Sequence, residues 1–94
     1  MRIQWTRTAA ADLDAIARYI EVGDPTAAAR VVLRVIDAVE GLADHPALGR
    51  AGCVPGTREL VVADTPYFVP YRVAGSVVQV LRVLHGAMRW PGAL

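Results

Sequence analysis

The residues best equipped for chemistry lie in the second half of the chain: Arg50, Arg58, Tyr67, Tyr71, Arg72, Arg82 and His85. Arginine holds phosphate or carboxylate with a bidentate fork, tyrosine stacks on a base, and histidine exchanges a proton near neutral pH. Metal-independent RNA cleavage needs such a set: a base for the 2′-hydroxyl, an acid for the leaving oxygen, and cations for the charge on phosphorus. Each residue also has a plain structural reading. Tyr67 and Tyr71 share strand parity with Val69 and Val73, as core residues would; Arg72 pairs with Glu59 or Asp64; His85 ends a strand with its ring satisfied.

Other chemistries find less support. Cys53, His45 and His85 lack any metal-ligand spacing, so no metal or other cofactor is expected. Ser76 sits in a tight turn and Cys53 in a loop, without the signature of an activated nucleophile. Asp12 and Asp14 are two residues apart on a helix and point to different faces, which rules out an acid pair and leaves both as solvated carboxylates.

The elements that must position these groups come from a chain of 94 residues, enough for one domain over 1–94 with a small core. Apolar residues make up 54% and mean hydropathy is +0.34, which leaves apolar area near the surface and calls for a partner. The formal net charge is only +1, yet residues 1–47 hold five arginines against seven carboxylates, and residues 48–94 hold five against two. All ten cations are arginine, which a GC-rich coding bias explains as readily as a demand for bidentate contacts. A single cysteine fits a reducing compartment. No run approaches the ~20 apolar residues that span a bilayer. The start, Met1–Trp5, lacks a signal peptide's apolar stretch, so a cytoplasmic protein without a membrane partner is expected.

Ile3–Trp5 is β-rich. Thr6 or Thr8 then caps a helix over 7–22, with Ala9, Leu13, Ile16 and Ile20 on its apolar stripe. Gly23 stops it, Asp24 caps the next, and Pro25 occupies a first-turn position, giving a second helix over 25–43 and an antiparallel hairpin. Residues 45–56, with two prolines and three glycines, form a loop. Strands over 57–63, 67–73 and 77–84 follow as an antiparallel meander. The fold class is therefore α+β, in the order β-α-α-β-β-β, with the helical hairpin on one face of an antiparallel sheet. The expected core includes Leu13, Ile16, Ile20, Val32, Ile36, Val39, Leu81 and Val83. Neither face of the last two strands is simply polar, and one hairpin covers only one face, so the other is expected to expose apolar residues interspersed with Arg72 and Arg82. Simple alternation also puts Arg82 and His85 on opposite faces unless the strand leaves irregularly at Gly86.

The order and spacing of several segments resemble the RelE/ParE toxins of bacterial type II toxin–antitoxin modules over nearly the whole chain. They are Trp5 with Ala11-Asp12-Leu13 and Ile16, "HPALGR" at 45–50, "GTREL" at 56–60, "YFVPYRV" at 67–73 and "VLRVLHGAMRWP" at 80–91. The resemblance implies a helical hairpin on an antiparallel sheet, and a cognate antitoxin that neutralises the toxin within a hetero-oligomer. RelE-like members cut mRNA on the ribosome, whereas ParE-like members act on DNA gyrase. The "YRV" and "LRVLH" strands look more like the ParE branch, and the near-neutral charge and lack of lysine sit poorly with docking to ribosomal RNA. The expectation is thus a gyrase-inhibiting toxin with no catalytic residue, binding its target or antitoxin through Arg50, Arg58, Tyr67, Arg72 and Arg82. The alternative is a ribosome-dependent endoribonuclease, with ribosome and mRNA as partners and Arg58, Arg82 and His85 as its catalytic set.

Overall fold

Two side-chain caps start the helices. In a computed structural model that describes residues 1–87, the Thr6 hydroxyl accepts from the Ala9 N–H at 3.1 Å and opens α1 (Arg7–Glu21). Asp24 accepts from the Ala27 N–H at 3.1 Å and opens α2 (Pro25–Glu40), with Pro25 in the first turn, where its missing N–H costs nothing. A short 3₁₀ turn, Gly41–Ala43, finishes the stretch read as the end of helix two. The strands are β1 (Arg2–Trp5), β2 (Arg50–Ala51), β3 (Arg58–Val61), β4 (Tyr67–Ala74), β5 (Val77–Val80) and β6 (Leu84–His85).

The sheet runs β1-β5-β4-β3-β2, with β6 also pairing β4. The antiparallel meander β3–β4–β5 stands as expected, while β1 joins β5 in parallel and makes the whole sheet mixed. The helical crossover between β1 and the meander supplies the length that a parallel pairing requires. Within the stretch read as a loop, Arg50 and Ala51 pair with Glu59 and Arg58. Two residues are too short for alternation to announce a strand.

Both helices cover one face. Ala9, Val35, Val39 and Leu42 meet Leu60, Val62, Tyr67, Val69, Tyr71, Val78 and Val80 in a single buried cluster, with Leu13, Ile16 and Ile20 packed against it. Tyr71 is wholly buried, so its hydroxyl must be satisfied. It donates to the Pro46 carbonyl at 2.7 Å and accepts from the Gly49 N–H at 2.9 Å, pinning the loop to the sheet.

Three core expectations need correction. Ile36 is 37% exposed because Val35 takes the inward position of that turn. Val32 is half-buried in a groove between the helices beside Trp5. Leu81 belongs to a second cluster on the opposite face, with Phe68, Leu84 and Val54. There the loop through Val54 covers apolar area that had been expected to lie bare. Nor does Arg82 share the helix-free face with Arg72, since it turns toward α1.

Candidate functional site

A single extra residue decides what the end of the sheet can do. Tyr71 pairs with Val80, but Phe68 pairs with Leu84 and Tyr67 with His85. Val69 and Pro70 on β4 therefore oppose three residues, Leu81–Val83, and both Leu81 and Arg82 direct their N–H groups to the Pro70 carbonyl, at 2.9 and 3.4 Å. This is a β-bulge, and it shifts the parity of everything after it. His85, opposite the helix-facing Tyr67, now points to the side that Val78 and Val80 occupy before the bulge. The expected separation of Arg82 and His85 is thus overturned: both face α1. The irregularity lies before the histidine rather than at Gly86.

Helix α1 holds the bulge in place. The Thr6 hydroxyl donates to the Val80 carbonyl at 2.8 Å. Asp12 accepts from Arg82 Nε at 2.6 Å, from an Arg82 terminal nitrogen at 3.1 Å and from the Val83 N–H at 3.0 Å. The pair is largely shielded, with side chains 12% and 18% exposed. The hydrogen bond that the guanidinium donates to Asp12, opposed by desolvation and aided by the carboxylate charge, raises Arg82 above the usual arginine value. Asp12 is therefore not the solvated carboxylate expected from its helix position.

Around this pair lies a cleft of about 430 Å³ lined by Asp12, Ile16, Tyr19, Tyr67, Arg82 and His85, with Ala15, Val83 and Leu84 between them. Tyr19 stands 82% exposed at its rim. The Tyr67 and His85 rings meet edge to face, with centroids 5.8 Å apart at 88°. His85 Nδ1 accepts from the Ala87 N–H at 3.1 Å.

The remaining candidate residues go elsewhere. Arg58 pairs with Tyr71 across β3–β4 and donates to the Gly49 and Ala47 carbonyls at 2.8 and 3.4 Å. It lies on the other side of β4 from His85, whose own partner Tyr67 is four residues away, roughly 13 Å along the strand. Arg50 binds Glu59 at 3.1 Å, and Arg72 binds Gln79 at 2.6 Å rather than Glu59 or Asp64. Asp64 pairs with Arg34 instead. Of the residues singled out from sequence, only Tyr67, Arg82 and His85 converge. Asp12 and Tyr19 were missed as site residues, although Ala11-Asp12-Leu13 was among the segments carrying the family resemblance. The last part of another such segment, Met88–Pro91, lies outside the described residues.

Among the described residues, no group of three His, Cys, Asp or Glu side chains could hold a metal ion, and no helix is long and apolar enough to cross a membrane. The site offers a shaped, mostly apolar recess with an aromatic rim and an immobilised guanidinium. Such a recess suits the docking of a partner's side chains.

Residues 3–90 match the family described as ParE toxin of type II toxin-antitoxin system, parDE. The Y4kP protein of Sinorhizobium fredii is 52% identical over 93 residues, covering 99% of this chain and 96% of its own. Toxin RelE2 of Caulobacter vibrioides is 42% identical over 86 residues, covering 92% and 96%. A solved chain described as a chromosomal ParDE TA system from P. aeruginosa superposes with a TM-score of 0.83 at 38% identity, covering 90% of this chain and 95% of that one.

Proposed function

The chain belongs to the ParE toxin family and is the toxin of a type II toxin–antitoxin system, and from that premise we propose that it arrests growth by binding DNA gyrase in the cytoplasm. One observation supports this reading: Arg58 stands apart from Arg82 and His85, which argues against a nuclease centre built on the three. The Arg82 guanidinium is clamped by Asp12, and the Arg58 guanidinium is aimed at loop carbonyls on the other side of β4 from His85. General acid–base cleavage needs an acid, a base and cations within hydrogen-bond reach of one phosphate. The cleft supplies instead an apolar, aromatic-rimmed recess with a fixed charge, as interface anchors require.

A cognate antitoxin is the second partner, and the chromosomal ParDE neighbour supports it. The antitoxin silences the toxin by covering its target-binding surface in a hetero-oligomer. The decisive experiment has two arms. The purified chain is incubated with gyrase and relaxed plasmid, and separately with translating ribosomes and mRNA. The expected result is loss of supercoiling with mRNA intact, reversed by the antitoxin. Ribosome-dependent mRNA cleavage that disappears in His85→Gln, with gyrase unaffected, would replace this reading with the nuclease.

A further inference from the structure

The helix-free face of the sheet carries a hydrogen-bonded row that neither helix packing nor the cleft uses. Gln79 lies between the buried Val78 and Val80 and so points away from the helices. Its neighbours in register are Arg72 on β4 and Gln4 on β1. Arg72 Nε donates to Gln79 Oε1 at 2.6 Å, and Gln79 Nε2 donates to Gln4 Oε1 at 3.0 Å. The direction of the row is forced, because a guanidinium can only donate. Gln79 must turn its oxygen to Arg72 and its nitrogen to Gln4, and Gln4 must turn its own oxygen inward. Both ends of the row are therefore donors: the terminal nitrogens of Arg72 and the amide nitrogen of Gln4, two strand spacings or roughly 10 Å apart.

The charges around the row agree with that polarity. The six strands contain four arginines and one carboxylate, Glu59. Glu59 is 5% exposed and already occupied, by Arg50 through one oxygen and by the Cys53 N–H through the other. Arg2 shares the face of Gln4 by strand parity and is exposed. The row thus faces outward as an array of donors and positive charge, its amide oxygens turned inward and its terminal arginine held in one orientation by Gln79 before any partner arrives.

We propose that this face, spanning Arg72, Gln79, Gln4 and Arg2, is a docking surface for an extended acidic polypeptide segment of a partner protein. The Arg72 fork takes one carboxylate, and the Gln4 amide takes a carboxylate or backbone carbonyl across the sheet. A nucleic acid fits less well. Affinity for a phosphate backbone accumulates over many cationic contacts, whereas this face offers two arginines on a chain of net charge +1. The surface is separate from the cleft and does not depend on which target the toxin attacks.

The test is an NMR titration of the isotope-labelled full chain at low ionic strength. One arm adds a glutamate-rich peptide of about ten residues, and the other an oligothymidylate of about ten nucleotides. The expected result is a saturable shift of the Arg72 Nε–H and of the Gln79 and Gln4 side-chain amides with the peptide, weakened by added salt. Arg72→Gln should lower the peptide affinity roughly tenfold. Gln79→Leu keeps the charge but releases the fork, and should lower it about threefold. Arg30→Gln, exposed on α2, should leave it unchanged. The proposal is overturned if the peptide moves none of these signals, if the oligothymidylate saturates them at lower concentration, or if Arg30→Gln costs as much affinity as Arg72→Gln.

Discussion

Replacing Asp12 with alanine should show how far the candidate site depends on one carboxylate. Asp12 accepts three hydrogen bonds, two from the Arg82 guanidinium and one from the bulge N–H of Val83. A fully buried pair that loses one partner costs about 3–5 kcal/mol, and an exposed pair about 0–1. With side chains 12% and 18% exposed, this pair lies nearer the buried limit, but the open cleft lets the orphaned guanidinium recover some hydration. The expected cost is therefore about 2–3 kcal/mol, or a fall in Tm of roughly 8–24 °C for a domain of this size. Urea denaturation with an unchanged m-value measures it directly. Asp12→Asn retains an acceptor for the Val83 N–H but not the charge, so it should fall between wild type and alanine. The pH dependence has a definite sign. The folded-state value of Arg82 is raised, so its contribution is present in full below the ordinary arginine range and fades only as pH rises through the folded value. The wild-type advantage should hence stay level across neutral and mildly alkaline pH. A cost below about 0.5 kcal/mol for Asp12→Ala would refute the clamp, since it would place this pair among surface ion pairs.

Other perturbations separate the parts of the molecule. Tyr71→Phe leaves the Gly49 N–H and the Pro46 carbonyl without their partner and should cost about 1–3 kcal/mol in chemical denaturation. Gly49→Ala would set a methyl 2.7 Å from the Tyr71 ring and 3.0 Å from the Glu59 carbonyl, so a loss of about 1–3 kcal/mol is expected, and a neutral result would mean the loop is not pinned there. Leu42→Ala should cost about 2–5 kcal/mol and Ile36→Ala under about 1, because the first is fully buried and the second is 37% exposed; equal costs would contradict the burial assigned to each. In a growth assay, His85→Gln should leave most of the toxicity if the chain acts by binding, and abolish it if the imidazole transfers protons.

The elements and the core face were legible in the sequence because local signals set them. Thr6, Asp24 and Pro25 mark helix starts through side-chain and φ preferences that need no distant partner. The spacing of Ala9, Leu13, Ile16 and Ile20 fixes which side of α1 turns inward. Tyr67, Val69 and Tyr71 show their common face through strand parity alone. Three features escaped this reasoning, each for lack of a local signature. The parallel pairing of β1 with β5 joins residues more than seventy positions apart. The choice of Val35 over Ile36 rests on a fraction of a helical turn between two equally apolar side chains. The bulge at Leu81–Val83 is invisible in "VLRVLH" because the residues themselves are ordinary strand formers. It exists because the Pro70 carbonyl accepts two N–H groups and because Asp12, brought over the sheet end by α1, takes both the Val83 N–H and the Arg82 guanidinium. Sequence thus determined which residues are charged, aromatic or apolar, and which local element each joins. Tertiary structure alone decided that Arg82 and His85 share one cleft while Arg58 and Arg72 stand apart from it, since one inserted residue reverses strand parity and only the packed helix can hold that insertion in place.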